Sequence, residues 1–282
     1  MHIVVCIKQV PDSAQIRVHP VTNTIMRQGV PAMVNPYDLF ALEEALRLKD
    51  RFGGRVTMLC MGPPQAEEAL RKCVSFGATD AILVTDRAFA GADTLATSYA
   101  LTAAIRKISQ EQQVDLVFTG KQTIDGDTAQ VGPGIAKRLG WNLLTYVSKI
   151  NEVDLDARTL TVERRAEGGV QRLQTTLPSL ITMLEGSNEM RFATMEDMLR
   201  AARVPVRKWN KDDAGIEDVA KIGLKGSPTI VSKVFGPSPR TEKCDTQAVA
   251  DSSAQDVCLN LIQKIFTTHP TLEDETVERL SA

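Results

Sequence analysis

Four short apolar runs, rich in β-branched residues, set the plan of the chain: His2–Ile7, Arg55–Cys60, Ala81–Thr85 and Val114–Thr119. Each is bounded by turn or polar residues and reads as a short buried strand. Between them the apolar residues switch to helical spacing. In 37–51, Leu39, Leu42, Ala45 and Leu46 fall on one face, with Glu43 and Glu44 on another. Leu101, Ile105 and Ile108 line up in 94–110, and Val131, Ile135 and Leu139 recur every four residues in 127–139. Strands alternating with helices in this way predict an α/β fold: a mostly parallel sheet with helices on both faces.

Three stretches break the rhythm. Residues 15–27, through Val18 and Ile25-Met26, read as a β-hairpin with a polar turn. Thr145–Glu152, Thr159–Arg165 and Gln171–Thr176, followed by Pro178–Met183, suggest an antiparallel meander added to the parallel core. Residues 205–245 hold four Gly and four Pro, yet keep Val206, Ile216, Ile222, Leu224, Ile230, Val231 and Phe235. So much apolar surface is unlike a free linker and needs something to lie against. A final amphipathic helix is expected at about 247–267, with Val257, Cys258, Leu261 and Ile265 on one side. The expected organisation is an α/β domain over 1–204 and a C-terminal arm with its helix over 205–282, packing on a partner.

Composition excludes several function classes. The 33 basic and 35 acidic residues leave a net charge of −2, which gives no electrostatic footprint for nucleic acid or an anionic membrane face. The longest apolar runs are far too short to cross a bilayer, so no direct membrane insertion is expected. The cysteines, Cys6, Cys60, Cys73, Cys244 and Cys258, are odd in number and form no C-x-x-C pair. The histidines, His2, His19 and His269, are scattered. That argues against a disulfide framework and against a metal site. Nothing at the start resembles a targeting signal, and a cytoplasmic location is the natural reading.

The strongest candidate for chemistry is the loop from Gly120 to Pro133, which follows a buried strand and runs into a helix. That is the usual ligand position in open α/β sheets. Free N–H groups at the helix start, with Thr128 and Gln130 as side-chain donors, suit a phosphate or pyrophosphate. Asp125 and Asp127 would then act as caps or bond hydroxyls. An ordinary Asp-Gly turn before a capped helix accounts equally well for the loop taken alone. Asn35-Pro36-Tyr37-Asp38 before the 37–51 helix and Met61-Gly62-Pro63-Pro64 after a strand are further candidates, each readable as a plain helix start or turn. No G-x-S-x-G elbow, H-E-x-x-H or convincing Cys/His pair is present, so catalytic side chains are not expected and the chemistry falls to a cofactor.

The run Val162-Glu163-Arg164-Arg165-Ala166-Glu167-Gly168-Gly169-Val170-Gln171-Arg172-Leu173, followed by Pro178-Ser179-Leu180-Ile181-Thr182, resembles the signature of electron transfer flavoprotein β subunits at every position. Asn35–Asp38 and Gly120–Pro133 resemble that family's nucleotide loops, and the likeness covers essentially the whole chain. The resemblance implies a sheet of the adenine-nucleotide α-hydrolase-like type. It implies a heterodimer with an α subunit that carries its own FAD, embraced by the C-terminal arm. By position, the β-subunit nucleotide would contact Cys6, Asn35, Pro36, Tyr37, Asp38 and Met61. It would also meet the loop Gln122, Thr123, Ile124, Asp125, Gly126, Asp127, Thr128, Ala129, Gln130, Val131, Gly132 and Pro133.

In housekeeping members this nucleotide is AMP; in electron-bifurcating members it is a second FAD. Met61-Gly62-Pro63, Arg87–Thr94 and Asp125–Thr128 look like the bifurcating branch, and within it like the subunits that feed reductant to nitrogenase. That implies NADH as electron donor, with a quinone oxidoreductase and ferredoxin or flavodoxin as acceptors. Arg87, Gly91, Asp93 and Thr94 would line the flavin: the glycine small enough for a flat ring, the arginine favouring its reduced form, Asp93 and Thr94 capping the next helix or bonding the ring's polar edge. Met195, in Arg191–Glu196, resembles the family's partner-docking anchor; lining the inner face of a helix is its plainer role. A non-redox nucleotide-binding protein of the universal-stress type would explain the loops but neither the arm nor the 162–182 signature. The housekeeping subunit with structural AMP remains the nearer alternative.

Overall fold

The strand His2–Ile7 (β1) is buried along its whole length, which a strand achieves only inside a sheet covered on both faces. In the computed structural model, which describes residues 1–12, 17–18, 25–26, 31–232 and 253–281, that is where it lies. The chain continues as β2 (Gln9–Pro11), β3 (Arg17–Val18), β4 (Ile25–Met26), β5 (Ala32–Val34), α1 (Pro36–Phe52), β6 (Arg55–Met61), α2 (Glu67–Ser75), β7 (Asp80–Val84), α3 (Thr94–Glu111) and β8 (Leu116–Gly120). Then follow α4 (Val131–Leu139), β9 (Asn142–Asp154), β10 (Thr159–Ala166), β11 (Gly169–Thr176), β12 (Ser179–Met183), α5 (Met195–Arg203), β13 (Val206–Trp209), α6 (Ala254–Thr268) and α7 (Pro270–Ser281).

Nine strands form one sheet in the order β11-β10-β9-β12-β8-β1-β6-β7-β13. The seven from β9 to β13 run parallel, and β10 and β11 extend the sheet antiparallel from the far half of β9. Because alternate residues of a strand face opposite sides, the apolar runs feed two cores. Ile3, Val5 and Ile7 pack with Leu42 and Leu46 of α1 and Leu70 of α2. Val4 and Cys6 pack with Ile105 and Ile108 of α3 and Ile135 of α4. Helices on both faces of a mostly parallel sheet are what the alternation predicted.

The differences are local. Pro178–Met183 is not the last turn of an antiparallel meander: β12 inserts parallel between β9 and β8. A buried run such as Ser179–Met183 marks a central strand without stating its direction. The expected hairpin at 15–27 is present in its described part, pairing Arg17 with Met26 and Val18 with Ile25; the rest of it lies outside the described residues. The helix expected from 127 begins at Val131, because Asp127 and Ala129 hold left-handed backbone angles that no helix contains. Helix α2 was not anticipated, while α5 is the helix that the plainer reading of Met195 placed there. Strand β13, which makes residues 206–209 the edge strand of the sheet, was not anticipated either.

The chain divides into two compact units, Met1–Phe235 and Gly236–Ala282, so part of the segment expected as an arm belongs to the first. Trp209, Ala214 and Ile222 are buried in the core beneath α3. In the second unit the described residues are α6 and α7. The first covers the described part of the helix expected at 247–267, whose residues 247–252 lie outside the described set.

A candidate nucleotide site at the carboxyl ends of the parallel strands

Parallel pairing brings the carboxyl ends of β1, β6, β7 and β8 to one edge of the sheet, and the loops that leave them meet there. Asn35 and Asp38, at the start of α1, tie the ends of β1 and β8 together. Asn35 is fully buried. Its N–H donates to the Lys8 carbonyl (2.9 Å), its Nδ2 donates to the Gln122 carbonyl (2.9 Å), and its Oδ1 accepts the Ile124 N–H (3.1 Å). Asp38 accepts the Lys8 N–H on Oδ2 (2.8 Å) and the Gly120 N–H on Oδ1 (3.2 Å). Pro36 opens the helix, where its missing N–H costs nothing. The Tyr37 ring lies 5.0 Å from the Lys121 ammonium. The polar side chains of Asn35 and Asp38 are therefore committed to backbone groups of the neighbouring loops.

Burial pushes the Asp38 carboxyl up to about 7, although the Lys8 and Gly120 amides and the Asn35 side chain pull it back. A folded-state pKa above the unfolded value stabilises while the group is protonated in the fold. That contribution is complete near pH 4 and is lost as pH rises towards 7. The span is worth on the order of 4 kcal/mol at most. Asp38→Asn is expected to remove this slope, so that wild-type stability falls relative to the variant's as pH rises from 4 to 7.5. Urea unfolding across that range checks it; parallel pH profiles would show that Asp38 does not titrate there.

The 121–130 loop is cross-linked at three points. Lys8 Nζ pairs with Asp125 (2.8 Å), Gln122 Nε2 donates to Asp127 Oδ1 (2.8 Å), and the Asp127 N–H donates to the Thr123 carbonyl (2.9 Å). Burial works against the Asp125 charge, but the hydrogen bond and charge of Lys8 outweigh it and hold the carboxyl below its ordinary range. Asp127 (φ +50°) and Ala129 (φ +55°) are left-handed, and Gln130 returns to the right-handed region. A left-handed residue followed by a right-handed one turns successive N–H groups towards a common point, a concavity suited to an anion. Among the described residues no protein acceptor meets the amides of Thr128, Ala129 and Gln130, or the Thr128 hydroxyl. Val131, Gly132 and Pro133 form the first turn of α4. A Cβ on Gly132 would lie 2.9 Å from Thr119 Oγ1, so that turn packs closely on the sheet.

The second loop joins the first through Thr94, whose hydroxyl donates to Gln130 Oε1 (2.7 Å). The neighbours of Thr94 are otherwise engaged. Asp93 caps α3 at Leu95 and Ala96 and accepts from the N–H and hydroxyl of Thr229. Gly91 lies under Leu224. Arg87 stands exposed in the short turn that Asp86 caps. Cys6 is buried, which pushes its thiol far above the ordinary range and keeps it neutral. Met61 is half-buried against the α3 side of the core.

Lys8 and Lys121 were not anticipated from sequence; a single lysine after a strand carries no signal of its own. Met195 is not brought to this edge. It opens α5, 72% exposed beside Phe192 at 96%, so it does not line an inner helix face. A cleft of about 610 Å³ lies elsewhere, along α3 and residues 215–221, and none of the loop residues above lines it. Among the described residues no His, Cys, Asp and Glu side chains group to hold a metal, and no helix is long and apolar enough to cross a membrane.

Residues 22–214 match the electron transfer flavoprotein domain. The chain is 67% identical over 279 residues to the protein FixA of Azotobacter vinelandii, covering 99% of each chain. It is 64% identical over 276 residues to FixA of Azorhizobium caulinodans, covering 98% of this chain and 97% of that one. Against the electron transfer flavoprotein subunit beta of Clostridium acetobutylicum the identity is 44% over 269 residues, 95% of this chain and 99% of its relative. This chain belongs to the electron transfer flavoprotein family, as a homologue of FixA and of the family's β subunits.

Proposed function

We propose that the chain is the β subunit of an electron-bifurcating electron transfer flavoprotein that supports nitrogen fixation from the cytoplasm. On this reading its sheet is of the adenine-nucleotide α-hydrolase-like type, and the strand-end site holds FAD. The observation that carries the reading is the concavity at Asp127–Gln130, whose free amides suit a dinucleotide's phosphates. Asn35 and Asp38 support it by fixing the loop, and Cys6, Met61 and the first turn of α4 would bound the adenylate half. The Thr94–Gln130 bond adds the loop after β7 to the same edge, beyond what an adenylate alone requires. Arg87 is the residue best placed to meet a flavin, with Thr94 held at the same edge by Gln130, since Asp93 and Gly91 are engaged with 224–229.

A flavin bound there would supply the redox chemistry, with NADH as electron donor and a quinone oxidoreductase and ferredoxin or flavodoxin as acceptors. This chain's residues bind, orient and set the local charge. Assembly with an FAD-carrying α subunit is supported by α6 and α7, where Leu259, Leu261, Ile262, Ile265, Leu272, Val277 and Leu280 are exposed. Apolar surface on that scale marks an interaction site. Phe192 and Met195 offer a separate exposed pair for a redox partner.

The deciding experiment is a cofactor count. The purified complex is expected to release two FAD and no AMP per heterodimer, and NADH is expected to reduce it directly. One FAD with one AMP would make it a housekeeping carrier between dehydrogenases and the quinone pool, and would end the bifurcation reading.

A further inference from the structure

The geometry points to Lys8 as a positioning residue that makes the 125–130 loop able to receive an anion, by cancelling the charge of Asp125. This inference rests on the nucleotide reading of the site. The loop that offers its amides also carries two carboxylates, Asp125 and Asp127, which would repel a phosphate held beside them. Asp127 is hydrogen-bonded by Gln122, a neutral amide that leaves its charge in place. Asp125 is met by a cation. Lys8 Nζ lies 2.9 Å from Oδ1 and 2.8 Å from Oδ2.

Lys8 is also held from behind, which gives the contact a fixed origin. Its N–H donates to Asp38 (2.8 Å) and its carbonyl accepts the Asn35 N–H (2.9 Å). The same two residues hold Gly120, Gln122 and Ile124, so the lysine and the loop it reaches share one frame. The pair is worth little to the fold itself: the Lys8 side chain is 47% exposed and that of Asp125 28%, a setting where solvent screens ion pairs and they contribute little stability. Its consequence falls on whatever anion approaches the loop.

The test uses the purified complex stripped of the nucleotide bound at this chain and titrated with AMP and with FAD. Four forms are compared: wild type, Lys8→Met, Asp125→Asn and the double variant. Lys8→Met is expected to weaken binding roughly tenfold at low salt and less at high salt. Asp125→Asn in the same chain is expected to restore affinity to within roughly threefold of wild type, with thermal midpoints moving by only about 2 °C. Lys8→Met binding as tightly as wild type would overturn the inference. So would a double variant as weak as Lys8→Met, because the lysine would then touch the anion itself. Wild type that binds neither nucleotide at this chain would fail the nucleotide reading, and the inference with it; the titration separates these outcomes.

Discussion

Gly120→Ala is expected to destabilise the protein by roughly 3–6 kcal/mol, a large effect for a single methyl group. Gly120 ends β8 where the first turn of α1 crosses it. A Cβ there would sit 2.6 Å from Asp38 Oδ1, 2.6 Å from the Tyr37 carbonyl carbon and 2.7 Å from Tyr37 Cβ. Two of those atoms are part of, or next to, a helix backbone and cannot swing aside. Moving α1 would break the bond from the Gly120 N–H to Asp38 and strain the Asn35 bonds to the next loop. Overpacking costs about 1–3 kcal/mol, and each buried group left unpaired about as much again. Gly140→Ala is the control: its Cβ meets nothing within 4 Å, though its φ of +72° costs about 1–2 kcal/mol. Urea midpoints of the two variants decide it, and a Gly120→Ala protein as stable as the Gly140→Ala one would mean β8 and α1 do not meet as described.

Asn35→Leu is expected to reduce nucleotide affinity by at least roughly a hundredfold, with about 2–5 kcal/mol lost in stability. The side chain keeps a similar volume but can neither donate to the Gln122 carbonyl nor accept the Ile124 N–H. Both groups then face an apolar side chain, and the loop leaves the position in which Asp127 and Ala129 hold left-handed angles. Faster hydrogen exchange at Ile124, together with the nucleotide titration, separates release of the loop from global unfolding. Unchanged exchange at Ile124 with full affinity would show that the loop holds itself.

How much of this was legible in the sequence follows from what each residue reports. Strands buried on both faces must be continuously apolar, so His2–Ile7 and Arg55–Met61 announced themselves. Direction does not show in composition, which is why Ser179–Met183 was grouped with the antiparallel strands beside it. The four residues of β13 are too few to show a period. At the site, small residues and strand-end positions singled out loops that the fold brings to one edge of the sheet. The cap that Asp93 places on α3 was one of its two readings, but the jobs of Asn35 and Asp38 did not show, because a polar side chain looks the same whether it faces a ligand or a neighbour's backbone. Lys8 became visible only when folding placed Asp125, 117 residues later, beside its ammonium.

The long strand β9 makes assembly of the sheet a matter of timing. Its far end pairs with β10 across only five residues, Asp154 with Thr159, so that hairpin can close within microseconds of being free to do so. Its near end pairs with β12, Asn142 with Ser179, 37 residues on, and that contact must wait for a larger loop to close. During synthesis the hairpin therefore precedes the parallel contact it borders. Until Ser179–Met183 has emerged, β8 shows the solvent an unpaired flank of apolar residues. In that interval the chain is open to misassembly at an edge the finished sheet covers.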